Sequence, residues 1–234
     1  MTILGFDTCT ETVDVALVRD GRTLSCRRGT APRRQLTRLM PFVAEVMEEA
    51  SCRVGDLHLI AVTTGPGSFT GIRLGITTAR TLAQMLRLPV SPVDTIRAVA
   101  AGCPRDGLVL ASLDARKGEV FFALYQKRGD GLKLLDGNRK ASLAEYVEYV
   151  NGLEPRDGEE LVITGSVLGR YGEILEREIR VPFARPHPQH WTPSGSVVAA
   201  LGEEMARDGK TLDYLHLTPD YMRDFEAVPP APLV

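Results

Sequence analysis

Two acidic residues and one glycine-rich loop carry most of the chemistry that this sequence offers. Asp7 closes a strand-like run in DTCTET, and Asp114 stands at the same point of a second such run in DARKGE. A carboxylate at a strand end beside threonines suits the positioning of a metal–phosphate complex. It equally suits an Asp that closes a hairpin and bonds its own turn amides. Facing each other across a cleft, the two would make a two-carboxylate arrangement for Mg-dependent phosphoryl transfer, unless Arg116 or Lys117 pairs with one of them. The loop is GPGSFTG, Gly65 to Gly71, placed after an apolar strand and before an amphipathic helix. Free amides and the helix dipole favour an anion at such a place. A residual anion site would draw on Asp7, Gly65, Gly67, Ser68, Thr70, Gly71 and Asp114. The loop has neither the Walker lysine nor the GxGxxG spacing, so a turn that only launches the helix is the competing reading.

Other reactive side chains give weaker patterns. His58, His187, His190 and His216 show no HxxxH or HExxH spacing, and His187 and His190 fall in a proline-broken stretch, RPHPQHW. Cys9, Cys26, Cys52 and Cys103 form no CxxC pair, which predicts free thiols in a reducing cytoplasm. Arg19, Arg22, Arg27, Arg28, Arg33, Arg34 and Arg38 crowd one segment against Asp20 alone. That segment suits a phosphate backbone, a solvated edge, or an acidic partner protein. The formal charge of -2 gives no global pull toward nucleic acid. With 44% hydrophobic and 25% charged residues the composition is that of a soluble globular protein. No apolar run approaches a membrane span, and a strand-like run beginning at Thr2 predicts a chain without a leader.

The elements that position these groups repeat. TILGFD at 2–7, VDVALV at 13–18 and 23–27 read as three strands of an antiparallel meander, with a turn at Asp20-Gly21. Leu36, Leu39, Met40, Val43, Val46 and Met47 then share a helical stripe. A strand at 59–64 follows, then a helix with Ile72, Ile76, Ala79, Leu82, Ala83 and Leu86 buried, a strand at 89–93 and a helix at 94–101. After the break at 104–107 the order starts again. Strands are expected at 108–113, 120–126 and 132–135, and a capping box at Ser142 opens a helix. A strand at 160–164, a helix at 167–175 and a strand at 179–183 follow, and Thr192-Pro193 would begin the last helix. The class is α/β, with βββαβα occurring twice and each sheet mixed because helices cross between some strands. The expected units are an N-terminal lobe at 1–105, a C-terminal lobe at 106–222 whose last helix packs back on the first, and a proline-rich flexible tail at 223–234.

Four stretches together resemble a known family: ILGFDTCTETVDVAL at 3–17, VTTGPGSFTGIRLGITTARTLA at 62–83, LDARKGEVFFALY at 113–125 and PDYMR at 219–223. They are similar to the bacterial TsaB proteins, also called YeaZ. The resemblance implies a two-lobed fold of the actin-like and Hsp70 (ASKHA) class with duplicated RNase H-like lobes. It also implies a non-catalytic accessory subunit in the cytoplasm that requires no cofactor of its own. Its partners would be the catalytic subunit TsaD and the ATPase TsaE, in a complex that uses ATP and Mg and contacts tRNA. The implied reaction transfers threonylcarbamoyl to N6 of adenosine 37 in tRNAs reading codons that begin with A. The catalytic relative holds its metal with an HxxxH pair. In PVDTIRAV, at 92–99, Thr95 and Val99 stand in the histidine places, and Gln35 replaces a histidine that many members carry. The family also implies that the first two helices of the first lobe meet matching helices of a partner or of a second copy. Leu36, Leu39, Met40, Val43, Ile72, Ile76 and Ala79 are the candidate interface residues, each helix also needing one face for its own sheet. The alternative from the residues alone is an autonomous Mg-ATP-dependent phosphotransferase or ATP hydrolase of the same fold.

Overall fold

The computed structural model describes residues 1–30, 35–156 and 158–222, with the side chains of residues 30, 35 and 36 outside that description. The chain opens with Thr2–Asp7 (β1), Thr12–Arg19 (β2) and Arg22–Thr30 (β3), followed by Gln35–Glu49 (α1). Leu59–Gly65 (β4), Phe69–Leu86 (α2), Val90–Asp94 (β5) and Thr95–Ala101 (α3) complete the first half. The strand order is β3-β2-β1-β4-β5, with the first three antiparallel. β4 and β5 join in parallel because a helix precedes each. The second half repeats it with Gly107–Arg116 (β6), Glu119–Arg128 (β7), Gly131–Ser142 (β8), Leu143–Asn151 (α4), Leu161–Thr164 (β9), Val167–Glu178 (α5) and Phe183–Ala184 (β10). Its sheet runs β8-β7-β6-β9-β10, the same order. Gly65 and Gly165 mark the equivalent strand-to-helix junctions, at φ +122° and +118°, a region that side chains with a Cβ rarely adopt.

Alternation along β1 explains the layering. Leu4 and Phe6 point into a core with Leu39, Val43, Ile72, Ile76 and Ala79 from α1 and α2. Ile3 points the other way, toward Val198, Ala199 and Leu201 of the last helix, Gly195–Arg207 (α6). Burying each such aliphatic side chain contributes about 1.5–3 kcal/mol. The two lobes exchange helices. α6, which follows the second sheet in sequence, lies on the first. α3 of the first half places Ile96, Val99 and Ala100 against Val109, Ala111 and Phe121 of the second sheet. α6 can lie so low because a Cβ at Gly195 or at Gly5 would overlap the facing backbone, and one at Gly202 would overlap Ala61.

Several expected bounds shift. β8 extends well beyond 132–135, because an edge strand that is itself twice bulged against β7 accommodates the turn-like Asp136, Gly137 and Asn138. α5 continues to Glu178 with Ile179 as its C-cap, which leaves β10 only two residues. α6 starts at Gly195, not at Pro193, since the Ser194 side chain takes the Val197 amide. The capping box at Ser142 forms as read. The last element of the first half, α3, ends at Ala101 and the first strand of the second sheet, β6, starts at Gly107. The chain then returns: Leu212 pairs with Val90 at the edge of the first sheet, and Leu217 is fully buried in the first core. This C-terminal strap, 208–222, lies on the first lobe although it belongs in sequence to the second; 223–234 lies outside the described residues.

Candidate functional site

The junction of β1 and β2 brings Asp7 against the start of α2. Asp7 is fully buried. Its Oδ1 accepts from the Cys9 amide at 2.9 Å and from Thr63 Oγ1 at 2.6 Å, and its Oδ2 accepts from Thr10 Oγ1 at 2.8 Å. Burial pushes its pKa up to about 6, against the pull of those hydrogen bonds, and the nearby Asp14 charge adds to the rise. The Cys9 thiol, also buried, is raised far from reactivity by desolvation and by Asp7. The carboxylate is therefore spent on closing its own hairpin.

The glycine loop is filled by the chain itself. Ser68, the N-cap of α2, donates its amide to the Cys9 carbonyl at 2.7 Å, and its hydroxyl accepts from the Gly71 amide at 3.3 Å. Thr8 Oγ1 donates to the Gly71 carbonyl at 2.7 Å. A Cβ at Gly67 would overlap the Cys9 carbonyl, and one at Gly71 the Thr8 carbonyl. On the other side, the Asp220 amide of the strap donates to the Thr64 carbonyl at 2.8 Å, and the Asp220 carbonyl rests on Gly65. The glycines thus admit peptide carbonyls at the distance where an anion site would admit a phosphate oxygen. Thr70 faces solvent in the first turn.

Asp114 keeps 17% of its side chain exposed. It accepts from the Arg116 amide at 2.9 Å and lies 3.4 Å from Arg170 Nε, while its own amide donates to Ser166 at the start of α5. Asp7 is bonded within the first lobe and Asp114 within the second. Thr95 and Val99 are fully buried on α3. Among the described residues no group of three or more His, Cys, Asp or Glu side chains could hold a metal ion. His190 instead bonds the Gly102 carbonyl at 3.1 Å.

Two residues of the arginine segment, Arg27 and Arg28, serve the fold. Arg27 pairs with Glu45 and Glu49 of α1. Arg28 pairs with the buried Asp14 and donates to the Gln189 and Pro193 carbonyls at 2.6 and 3.1 Å, tying β3 to the approach of α6. Arg33 and Arg34 lie outside the described residues.

Of the candidate interface residues, Leu39, Val43, Ile72, Ile76 and Ala79 hold their helices to the sheet, each at most 6% exposed. Met40 is 48% exposed, and the Leu36 side chain lies outside the described residues. The exposed residues of α2 are Phe69, Thr70, Arg73, Thr77, Thr81, Gln84 and Met85, with Leu74 and Thr78 half-buried between them. The strap occupies the neighbouring flank and was not legible as an element. Its signal was the apolar spacing of Leu212, Leu217 and Tyr221 in an otherwise polar stretch.

Two interlocked lobes with the same sheet order make an actin-like fold. At the level of fold alone, the hexokinase of the ROK group from Thermus thermophilus aligns over 89% of this chain and 100% of its own, with a TM-score of 0.50 at 14% identity. A family model described as TsaD, tRNA N6-adenosine threonylcarbamoyltransferase, matches residues 29–204. The tRNA threonylcarbamoyladenosine biosynthesis protein TsaB of Bacillus subtilis is 33% identical over 97% of this chain and 96% of its own. TsaB of Escherichia coli is 31% identical over 96% and 95%. The solved structure of YeaZ from Pseudomonas aeruginosa superposes with a TM-score of 0.79 at 26% identity, over 94% of this chain and 99% of its own. The chain belongs to the family that this model describes and, within it, to the TsaB proteins. No described helix is long and apolar enough to cross a membrane.

Proposed function

We propose that this chain is the non-catalytic, activating subunit for threonylcarbamoyl transfer to N6 of adenosine 37 in tRNAs that read codons beginning with A, and that it acts by binding the catalytic subunit TsaD. The observation that carries the reading is the outer arc of α2. A solvated helix normally presents charge opposite its buried stripe. Here Thr70, Thr77, Thr81, Gln84 and Met85 are exposed with a single charged side chain, Arg73, among the exposed residues of the helix, and that guanidinium is bonded to Tyr221 of the strap, as Arg80 is to Tyr214. Such a face loses little on dehydration and admits close approach of another helix. Met40 of α1, whose helix packs on the same face of the sheet, is exposed as well.

TsaD shares with this chain the stretch that contains both helices, so like helices are available on the two partners. The ATPase TsaE would join the assembly, which uses ATP and Mg; tRNA is met through the complex, in the cytoplasm. Without TsaD the same face serves a homodimer, in which the patch meets itself about a two-fold axis. The chain needs no cofactor for this role: Asp7 and the GPGSFTG loop shape the entry of α2. The test is a calorimetric titration of TsaD with the Thr77→Glu variant. Affinity is expected to fall at least about tenfold with an unchanged melting temperature; unchanged affinity overturns the α2 face.

A further inference from the structure

The chain passes between the two sheets twice, through α3 with the residues 102–106 after it, and through residues 185–194. In a two-lobed fold such connections are where a hinge opens and closes the cleft. Here they are bonded to each other and to both lobes. His190 Nδ1 lies 3.1 Å from the Gly102 carbonyl, which can only accept, so Nδ1 carries the proton and Nε2 accepts from Gln189 Nε2 at 3.0 Å. The His190 carbonyl accepts from Thr164 Oγ1 of β9 at 3.1 Å, and Trp191 packs on the second core. The Gln189 carbonyl accepts from Arg28 of β3 at 2.6 Å. One 3-10 turn, Pro188–His190, thus ties both connections and both sheets together.

A second bridge stands at the other edge of each sheet. The first sheet runs β3-β2-β1-β4-β5 and the second β8-β7-β6-β9-β10. The turn reaches the β3 edge of the first and the β9 side of the second, whereas Asn138 Nδ2 of β8 donates to Asp94 Oδ2 of β5 at 2.6 Å. Gly137 and Asn138 together oppose Ala123 alone, and a bulge of this kind re-aims a side chain. Two bodies tied at one edge rotate about that tie; tied at opposite edges they keep one angle. We propose that this pair of ties fixes the angle between the lobes, so that the chain is a rigid brace whose cleft does not close on a ligand. The inference stands apart from the α2 contact and holds whichever face meets TsaD.

The test measures the distance between spin labels on the two lobes by electron–electron resonance. The labels sit at Arg53→Cys and Arg177→Cys, both exposed positions, in the full chain with the exposed Cys26 replaced by Ser. The labelled chain is expected to give a single distance distribution that millimolar ATP with Mg does not move. His190→Ala and Asn138→Ala, neither at a buried position, are each expected to widen it at least about twofold, because one tie left alone is a pivot. Val150→Ala opens a cavity inside the second core and touches neither tie; it should lower the melting temperature and leave the width unchanged. Two distances in the labelled chain, a shift with Mg-ATP, or failure of either tie variant to widen the distribution overturns the proposal. Equal widening by Val150→Ala overturns it as well, since any loosening of the fold would then suffice.

Discussion

Replacing Asp7 by Asn separates a carboxylate kept for a metal–phosphate complex from one kept to close a hairpin. Asp7 is fully enclosed and titrates at about 6 against an ordinary 3.8. The folded state thus binds this proton more tightly than the unfolded chain. Its stability is greatest below the unfolded value and is lost as pH rises through about 6. The interval between 3.8 and about 6 is worth about 3 kcal/mol, present as a penalty throughout neutral pH. Asn keeps an acceptor for the Cys9 amide and Thr63. Its NH2 meets Thr10 Oγ1, which can turn to accept and donate onward to Thr12 Oγ1, 3.1 Å away. Asp7→Asn should therefore be about 1–3 kcal/mol more stable than wild type at pH 8 and converge with it near pH 4. Urea unfolding of the two proteins at steps between pH 4 and 8 measures the difference, which cancels the raised carboxyl of Asp94. A variant that loses 2 kcal/mol or more at pH 8, or a difference flat across this range, refutes the reasoning.

Gly71→Ala should destabilise by about 2 kcal/mol or more in thermal unfolding, since its Cβ meets the Thr8 backbone, which cannot yield as a side chain can. Gly118→Ala, in open space at φ +77°, should cost about 1 kcal/mol; equal losses at the two sites would count against the filled loop. Arg28→Ala leaves the Asp14 carboxylate buried and should cost about 2 kcal/mol or more at pH 7. Burial already raises the Asp14 pKa, so this loss should shrink as pH falls and the carboxyl protonates; a loss that grows toward low pH would contradict the role assigned to the pair.

The long periodic elements were legible because a buried stripe and a turn residue fix them with little help from elsewhere. The duplicated order, the helix after GPGSFTG and the capping box at Ser142 are of this kind. β8 was not, because turn-forming residues are tolerated on a bulged edge. At the candidate site the residue types were legible and their meaning stayed open: a glycine lets a peptide carbonyl approach as readily as a phosphate oxygen. Only the positions of Thr8, Cys9 and Asp220 distinguish the two, and those come from chain segments distant in sequence. The interface residues show the same limit. Periodicity finds the apolar stripe of α2, and that stripe faces the sheet. The outward face is marked by sparse charge, Arg73 alone, which an apolar pattern does not register.

The central claim is that this chain activates a partner and performs no transfer itself. Threonylcarbamoyl incorporation into tRNA should be measured with TsaD, TsaE, ATP, Mg and the threonylcarbamoyl adenylate, with and without this chain. The account predicts multiple turnover only when the chain is present, no modification by the chain without TsaD, and restored turnover with Asp7→Asn. Full-rate modification in its absence, or transfer by the chain alone, would contradict it.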